Sequence, residues 1–579
     1  MKTPFIDDLK WSADAVMGRR PGSILLKNGL ITNIFTLQRE LGNILIAGEL
    51  IAGVGVEFCD SDAETVIDLQ GATVTPGLID GHLHIESSLV TPAEYEAAVL
   101  RRGVTGIVAD PHEVANVAGI AAIEWMMEAS QDLQMDVWFA VPSSVPATPM
   151  ETSGAILSVE DIDRLLNHPR VVAIGELMNV PGFVNGDLQE LQKSMLTHNK
   201  PHTAEGHAPG LIGRALQAYL GSGVSSDHES TTLEEGLQKL KAGCFLMIRE
   251  GSATRNLEAL MPLLDPKHGD RIGLVTDDRL PHDLLLEGGV DFVVRKAIAL
   301  GADPVYAIRC ASWNTARHFR LQRRGAIAPG YFADLVICDL LEGFTATAVI
   351  KDGRFVSKSS TTSTVADVPE SIRHTVRLPN LDLSSLQIVA RSGSIRVIEA
   401  IPNQILTREQ IVTPKIRDGL VVADSDRDLA KLICVERHGH HGKVAKGFAS
   451  GFGLREGALA CSVAHDHHNC LAVGMNDEDI LFALNRLQQL GGGLVVVNQG
   501  RVEAELALPI FGLLSDRPLN EVRLALESID NTAKSLGCTL PSQIMALSFL
   551  GLEVIPELRL TDLGLVDVVH GKFVELWVE

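Results

Sequence analysis

Between residues 75 and 278 the chain carries eight short apolar runs with their polar residues gathered at one end. The runs are TPGLIDGHLH (75–84), GIVADPHE (106–113), DVWFAVPS (136–143), VVAIGELM (171–178), PHTAEGH (201–207), VSSDHE (224–229), CFLMIREG (244–251) and RIGLVTDD (271–278). Helical patterns follow several of them, which is the signature of repeated βαβ units. Thr91-Pro92-Ala93-Glu94 and Thr232-Leu233-Glu234-Glu235 read as capping boxes that start two of these helices. Eight strand–helix repeats from 75 to 319 match the size of a (β/α)8 TIM barrel.

In seven of the eight runs the charged and imidazole residues fall at the C-terminal end: His82 and His84, Asp110 and His112, Glu176, His207, Asp227 to Glu229, Glu250, and Asp277 with Asp278. A barrel gathers those ends on one face, where catalytic groups converge. His82-x-His84 is the sharpest piece. Residues i and i+2 of a strand point to the same side, so two imidazoles one pleat apart can chelate one ion. Glu176 would lie opposite them, where a shared carboxylate can neutralise two cations. With His207 and His228 these residues make a nitrogen- and oxygen-rich set suited to zinc, manganese or iron. Asp277 can serve both as ligand and as proton carrier. Asp278 points to the other side if its strand stays regular.

Outside the barrel the texture changes. Ile24 to about Thr75 and residues 325–356 are short, β-branched and punctuated by glycine, the pattern of strands and tight turns. STTSTVADVPES (360–371) reads as a polar linker, and 361–579 as a separate α/β domain, with strand-like LQIVARSGSIRVIEAI and helical DEDILFALNRLQQLGGG. In that domain His438, His440 and His441 form one group, and His465, Asp466, His467 and His468 another. The second group follows the strand-like GALACSVA. We expect it to pack near the barrel mouth, closing the site or holding an auxiliary metal, against the plainer reading of a polar surface loop.

Composition excludes several classes. Seventy-three acidic against 50 basic residues give a net charge of −23, which argues against a duplex nucleic-acid binder. No stretch is long and apolar enough for a membrane span, and the first residues lack a secretory h-region. Eight scattered cysteines without C-x-x-C read as reduced thiols, so a cytoplasmic protein is expected.

PGLIDGHLHIE, the GH at 206–207, the DH at 227–228, VTDD at 275–278 and GAIAPGYFADLVI together resemble the amidohydrolase superfamily. ADPHEVANV, AIGELMNVPG, HAPGL, SSDHESTTLEEG and VTDDRLPHDLL resemble more specifically the bacterial adenine deaminases, as does 437–469 in the C-terminal part. The resemblance spans nearly the whole chain apart from the first 20 residues. It implies a small β-sandwich from both flanks (23–74 and 320–360), the metal-dependent barrel (75–319) and a C-terminal domain (361–579), with 1–22 expected as an N-terminal arm. It implies hydrolytic deamination of adenine to hypoxanthine and ammonia, in purine salvage, by hydroxide generated at two divalent ions attacking C6. Carried over residue by residue, the ligands are His82, His84, Glu176, His207, His228 and Asp277. Manganese or iron stands ahead of zinc, and Asp277 moves the proton. Glu176 stands where many relatives use a carbamylated lysine. Asp110, His112, Glu113 and Glu250 are expected to contact the purine or to support the ligands. A homodimer or larger homo-oligomer is also implied.

Two other readings stay open at this point. One is a cyclic-amide or N-acyl hydrolase of the same superfamily, against which Glu176 and the C-terminal domain argue. The other is a non-catalytic scaffold, which would have lost ligands that are all in place here.

Overall fold

The computed structural model describes residues 6–357, 368–402 and 404–578. Parallel strands at Leu78–His84, Val104–Ala109, Asp136–Val141, Val171–Leu177 and Thr203–Gly206 pair in sequence order, and a second parallel group holds Ser226–Asp227, Phe245–Arg249 and Ile272–Val275. The two groups join into a TIM-like barrel. On one side the Ser225 N–H donates to the Ala204 carbonyl at 2.8 Å. On the other, Asp277–Asp278 pairs with the first strand, Asp277 opposite Leu83 and Asp278 opposite His84. All eight expected runs thus contain a barrel strand.

Alternation along these strands divides them between two cores. Ile79, Val108, Trp138, Phe245, Met247 and Val275 pack together with Phe319 and Leu321. Leu78, Ile107, Val137, Leu246, Ile248, Ile272 and Leu274 belong to the larger core shared with the surrounding helices. The Thr232 hydroxyl caps helix Leu233–Lys241 by accepting from Glu235 N at 3.3 Å. Only this half of the box forms, since the Glu235 carboxylate accepts from Thr231 N at 3.1 Å, and the other expected box does not form at all. Thr91 precedes helix Pro92–Val99 without a side-chain cap, and the Glu94 carboxylate instead accepts from the distant Leu519 N–H at 2.9 Å. A tertiary donor has outcompeted the local one.

The strands flanking the barrel form one eight-stranded sheet, in which Thr73–Pro76 pairs antiparallel with Leu335–Cys338 from the far side of the barrel. Helix Ile6–Val16 lays Trp11 and Ala15 against this sheet. Residues 360–367 of the expected linker lie outside the described residues. Beyond them a nine-stranded sheet is covered on one face by helix Asp477–Leu490, whose Asn476 cap accepts from Asp479 N at 2.7 Å. Alternation again sorts the residues. Ile433 and Val435 pack under the helix, while Leu432 and Cys434 join the core continuous with the barrel.

The C-terminal segment is bound to the barrel face by polar contacts as well. Ser515 N donates to Leu89 O at 2.8 Å, Thr152 N to Asp562 Oδ1 at 3.0 Å, and the Thr561 hydroxyl to Met150 O at 2.7 Å. No helix among the described residues is long and apolar enough to cross a membrane. The eight cysteines are free, and all but Cys59 are buried.

Candidate active site

The floor of the site is built by strand ends. His82 and His84 project from the first strand with their rings 4.9 Å apart. His84 Nδ1 donates to the Asp110 carbonyl at 2.9 Å, which turns its Nε2 toward the centre. Glu176 ends the fourth strand and divides its oxygens between two sets of imidazoles. Oε1 lies 3.4 Å from His82 Nε2 and 3.2 Å from His84 Nε2, while Oε2 lies 2.6 Å from His207 Nδ1 and 3.7 Å from His228 Nε2. Asp277 Oδ1 approaches the first set, at 3.3 Å from His84 and 3.8 Å from His82. The six expected ligands therefore converge, and they converge around one carboxylate.

Neighbouring residues fix this geometry. Gly175 is required because a Cβ there would stand 2.1 Å from Asp110 Oδ2, the oxygen that accepts the Glu176 N–H at 3.2 Å. Asp80 ties the last strand to the first by accepting from the Thr276 hydroxyl at 2.6 Å and from Thr276 N at 3.2 Å. Immediately after it, Asp277 adopts a φ of 60°, the left-handed region that non-glycine residues seldom occupy. Its strand is therefore not regular at this point. Asp278 does not turn away as expected: it lines the cavity beside Asp277 and accepts from the Ser87 hydroxyl. Buried Lys239 donates to Asp227 Oδ2 at 2.8 Å, Glu235 Oε1 at 2.8 Å and Ala208 O at 2.7 Å, pinning the segments that carry His207 and His228.

The electrostatics suit a cation site. Burial pushes Glu176 up, but His228 and the hydrogen bonds of His207 and His84 outweigh it and hold the carboxyl well below its ordinary range. Burial likewise opposes ionisation of Asp277, and Arg249 overrides it. Burial and the adjacent His228 keep His82 well below the ordinary imidazole value, whereas the surrounding carboxylates outweigh burial and raise His84, His207 and His228. His82 Nε2, Glu176 Oε1 and His112 Nδ1 are buried with no hydrogen-bond partner among the described residues. Such atoms are costly unless something binds them. Groups able to hold a metal ion include His82, His84 and Asp277, and also His82, Glu176 and His228.

Above this floor lies a cavity with about 480 Å³ of empty space, partly open to solvent. Its barrel wall includes His112, Glu113, Met178, Glu229, Arg249 and Thr254. Its opposite wall comes from the C-terminal segment: Ile405, His465, Asp466, Phe549, Leu552, Val554 and Ile555. Of the expected purine contacts, His112 and Glu113 reach the cavity. Asp110 lies behind it, under Glu176. Glu250 is not brought in, because it accepts from Lys296 Nζ at 2.5 Å and from Leu257 N at 3.1 Å. Alternation explains this. Phe245, Met247 and Arg249 share the inward face of the seventh strand, so Glu250 faces outward with Leu246 and Ile248.

Arg249 is the residue the sequence reading passed over. It donates to Asp277 Oδ2 at 2.6 Å and to both oxygens of Glu229. The period of two in CFLMIREG was the signal that could have found it. His467 also stays out of the cavity. Its Nδ1 accepts from Asn469 N at 2.8 Å, and its carbonyl bonds His438 Nε2 at 2.8 Å.

A barrel with an HxH first strand, a shared carboxylate on the fourth and an aspartate closing the eighth defines an amidohydrolase. The profile of that family matches residues 73–356, and the profile of the adenine deaminase C-terminal domain matches 404–572. The chain belongs to the adenine deaminase family. It is 43% identical over 567 residues to the adenine deaminase of Kosmotoga olearia, covering 97% of each chain. It is 43% identical over 565 residues to adenine deaminase 2 of Carboxydothermus hydrogenoformans, 97% of this chain and 98% of that one. The Brucella suis adenine deaminase is 41% identical over 568 residues, 98% of this chain and 96% of its own. Membership of the amidohydrolase family implies a divalent metal site, and the donor set just described fits one.

Proposed function

We propose that this enzyme hydrolytically deaminates adenine to hypoxanthine and ammonia with two divalent ions per chain, manganese or iron ahead of zinc. His82, His84 and Asp277 would hold one ion, His207 and His228 the other, and Glu176 would serve both. Bound there, the ions would make hydroxide available near neutral pH. The observation that carries this reading is Glu176, whose two oxygens face two separate imidazole sets at the cavity floor. The near full-length likeness to adenine deaminases supports the choice of substrate.

The chain's own residues handle the proton. Arg249 anchors Asp277 Oδ2 and leaves Oδ1 toward the reacting centre. Oδ1 takes the proton of the attacking water and returns it to the purine ring or the leaving nitrogen. That delivery is obligatory, because the group leaves as ammonia and not as amide ion. Phe549, Leu552, Val554 and Ile555 form an apolar wall that excludes bulk water from the attack. In this reading the flanking sheet is the family's β-sandwich, and the enzyme is a cytoplasmic homo-oligomer of purine salvage. The free cysteines fit a reducing compartment.

The test is ammonia release from a purine panel, with hydantoin and dihydroorotate as controls. It compares metal-stripped protein with protein reconstituted with manganese or iron. Adenine turnover that returns with two ions per chain is expected. Turnover of the cyclic amides with none of adenine would move the enzyme to another substrate class.

A further inference from the structure

Glu113 ends in a grip from the C-terminal segment. Its Oε1 is 2.6 Å from His465 Nδ1, its Oε2 hydrogen-bonds His468 Nε2, and all three side chains are buried. These residue types could hold the auxiliary ion that the sequence suggests, but the tautomer of His468 argues otherwise. The Ala464 backbone N–H donates to His468 Nδ1 at 3.2 Å. A neutral imidazole that accepts at Nδ1 carries its proton on Nε2, so what faces Glu113 is an N–H and not a lone pair. The trio is therefore a hydrogen-bonded clamp across the two domains.

What the clamp presents to the cavity is Asp466. Its carboxylate lines the wall opposite the strand-end ligands and is only 5% exposed. Among the described residues it has no hydrogen-bond donor. His112 Nε2 at 3.9 Å and His465 Nδ1 at 4.0 Å are both too distant. A nearly buried acceptor without a donor is built to receive one from what binds there. Adenine has N–H groups in two places, the exocyclic amine and the imidazole ring. The amine sits on the carbon where the C–N bond breaks, so it belongs at the metal-ligand floor. The ring N–H remains for the opposite wall.

We infer that Asp466 accepts the imidazole-ring N–H of the purine, and that Glu113, acting through His465 and His468, positions it. The C-terminal domain thereby selects the free base over purines substituted at that ring. This rests on the proposed adenine deamination and deepens it.

The test compares adenine with 9-methyladenine, one methyl larger and without a ring N–H, as substrates of the metal-loaded full chain. In the wild type kcat/KM should fall by about 10²-fold or more from the first to the second, the scale of losing a hydrogen bond to a charged group. Asp466→Asn should lose about 10-fold on adenine, mostly in KM, with metal content unchanged, because its amide oxygen still accepts the ring N–H but without the charge. It should lose little on 9-methyladenine, which has no ring N–H for either side chain to accept. The preference between the two bases then narrows. Glu113→Gln should narrow the same preference to a smaller degree, again without metal loss. If Asp466→Asn does not fold, Glu113→Gln carries the test by the same ratio. A variant that keeps the wild-type ratio overturns the inference, as does one that lowers both substrates equally. Metal loss in Asp466→Asn overturns it too, by making that residue a ligand. A wild-type chain that releases no ammonia from adenine would instead sink the functional reading itself, and this inference with it.

Discussion

Glu176 and Asp277 differ in what their neighbours ask of them. Glu176 contacts imidazoles with both oxygens, so removing the carboxylate leaves two sets of histidines without a common anion. We predict that Glu176→Ala loses metal as well as activity. Two ions per chain with normal turnover in that variant would end the shared-ligand role. Asp277 spends one oxygen on Arg249 and, in the proposed reaction, keeps the other for the reacting centre. Asp277→Asn preserves the shape and removes the proposed proton acceptor. It should fold, hold much of its metal and turn over at least about 10²-fold slower. A kcat near the wild-type value would pass the proton role to Asp278, which lines the same wall.

At the scale of elements, the barrel holds its site through contacts between strand ends and the helices behind them. The proposed ligands His207 and His228 depend on a buried cation that touches neither. Lys239, 0% exposed, joins Asp227 and Glu235 to the backbone at Ala208. Breaking a buried ion pair from one side leaves the partner charge without compensation, typically at a cost of about 3–5 kcal/mol. Lys239→Met should therefore lower stability on that scale, read from the midpoint of denaturant unfolding. An unchanged midpoint would show that the triad contributes little. Helix Pro92–Val99 shows the converse. Thr91 offers a local cap that goes unused, because Glu94 is drawn to Leu519 in the C-terminal segment.

At the scale of the whole molecule, the barrel mouth and the C-terminal segment share a buried seam, and one part of it should respond to pH. Glu151 and Glu553 meet there, and the Thr148 hydroxyl donates to Glu553 at 2.7 Å. Burial pushes Glu553 up to about 7, and burial with the repulsion of Glu553 raises Glu151 well above the ordinary carboxyl value. A carboxyl raised in the folded state contributes stability that is complete below its unfolded value, about 4.3, and is lost as pH rises through the folded one. The seam should therefore weaken between about pH 5 and pH 8. Glu553→Gln keeps an acceptor for Thr148 and can donate to Glu151, so it should gain on the wild type as pH rises. The expected observation is a Tm difference between the metal-loaded proteins that widens by at least about 2 °C across that range. A constant difference would mean that this pair does not share a proton.

Much of this was legible in the chain itself. Eight runs with acids and histidines at one end determined a barrel and the face on which its chemistry lies, because strand alternation and parallel closure are local rules. The convergence of His82, His84, Glu176, His207, His228 and Asp277 followed from spacing and resemblance together. Local rules failed where a partner distant in sequence supplied a better contact. Thr91 was left without its box, and Asp277 turned into the left-handed region next to the Asp80–Thr276 bond, bringing Asp278 into the cavity. The period of two turns Arg249 inward, but only the tertiary structure set Glu229 and Asp277 beside it and laid His465 and Asp466 against the barrel mouth. The physical reason is common to all of them. A buried charge must find its partner wherever the fold brings one, and that partner is chosen by proximity in space, which no spacing along the chain encodes.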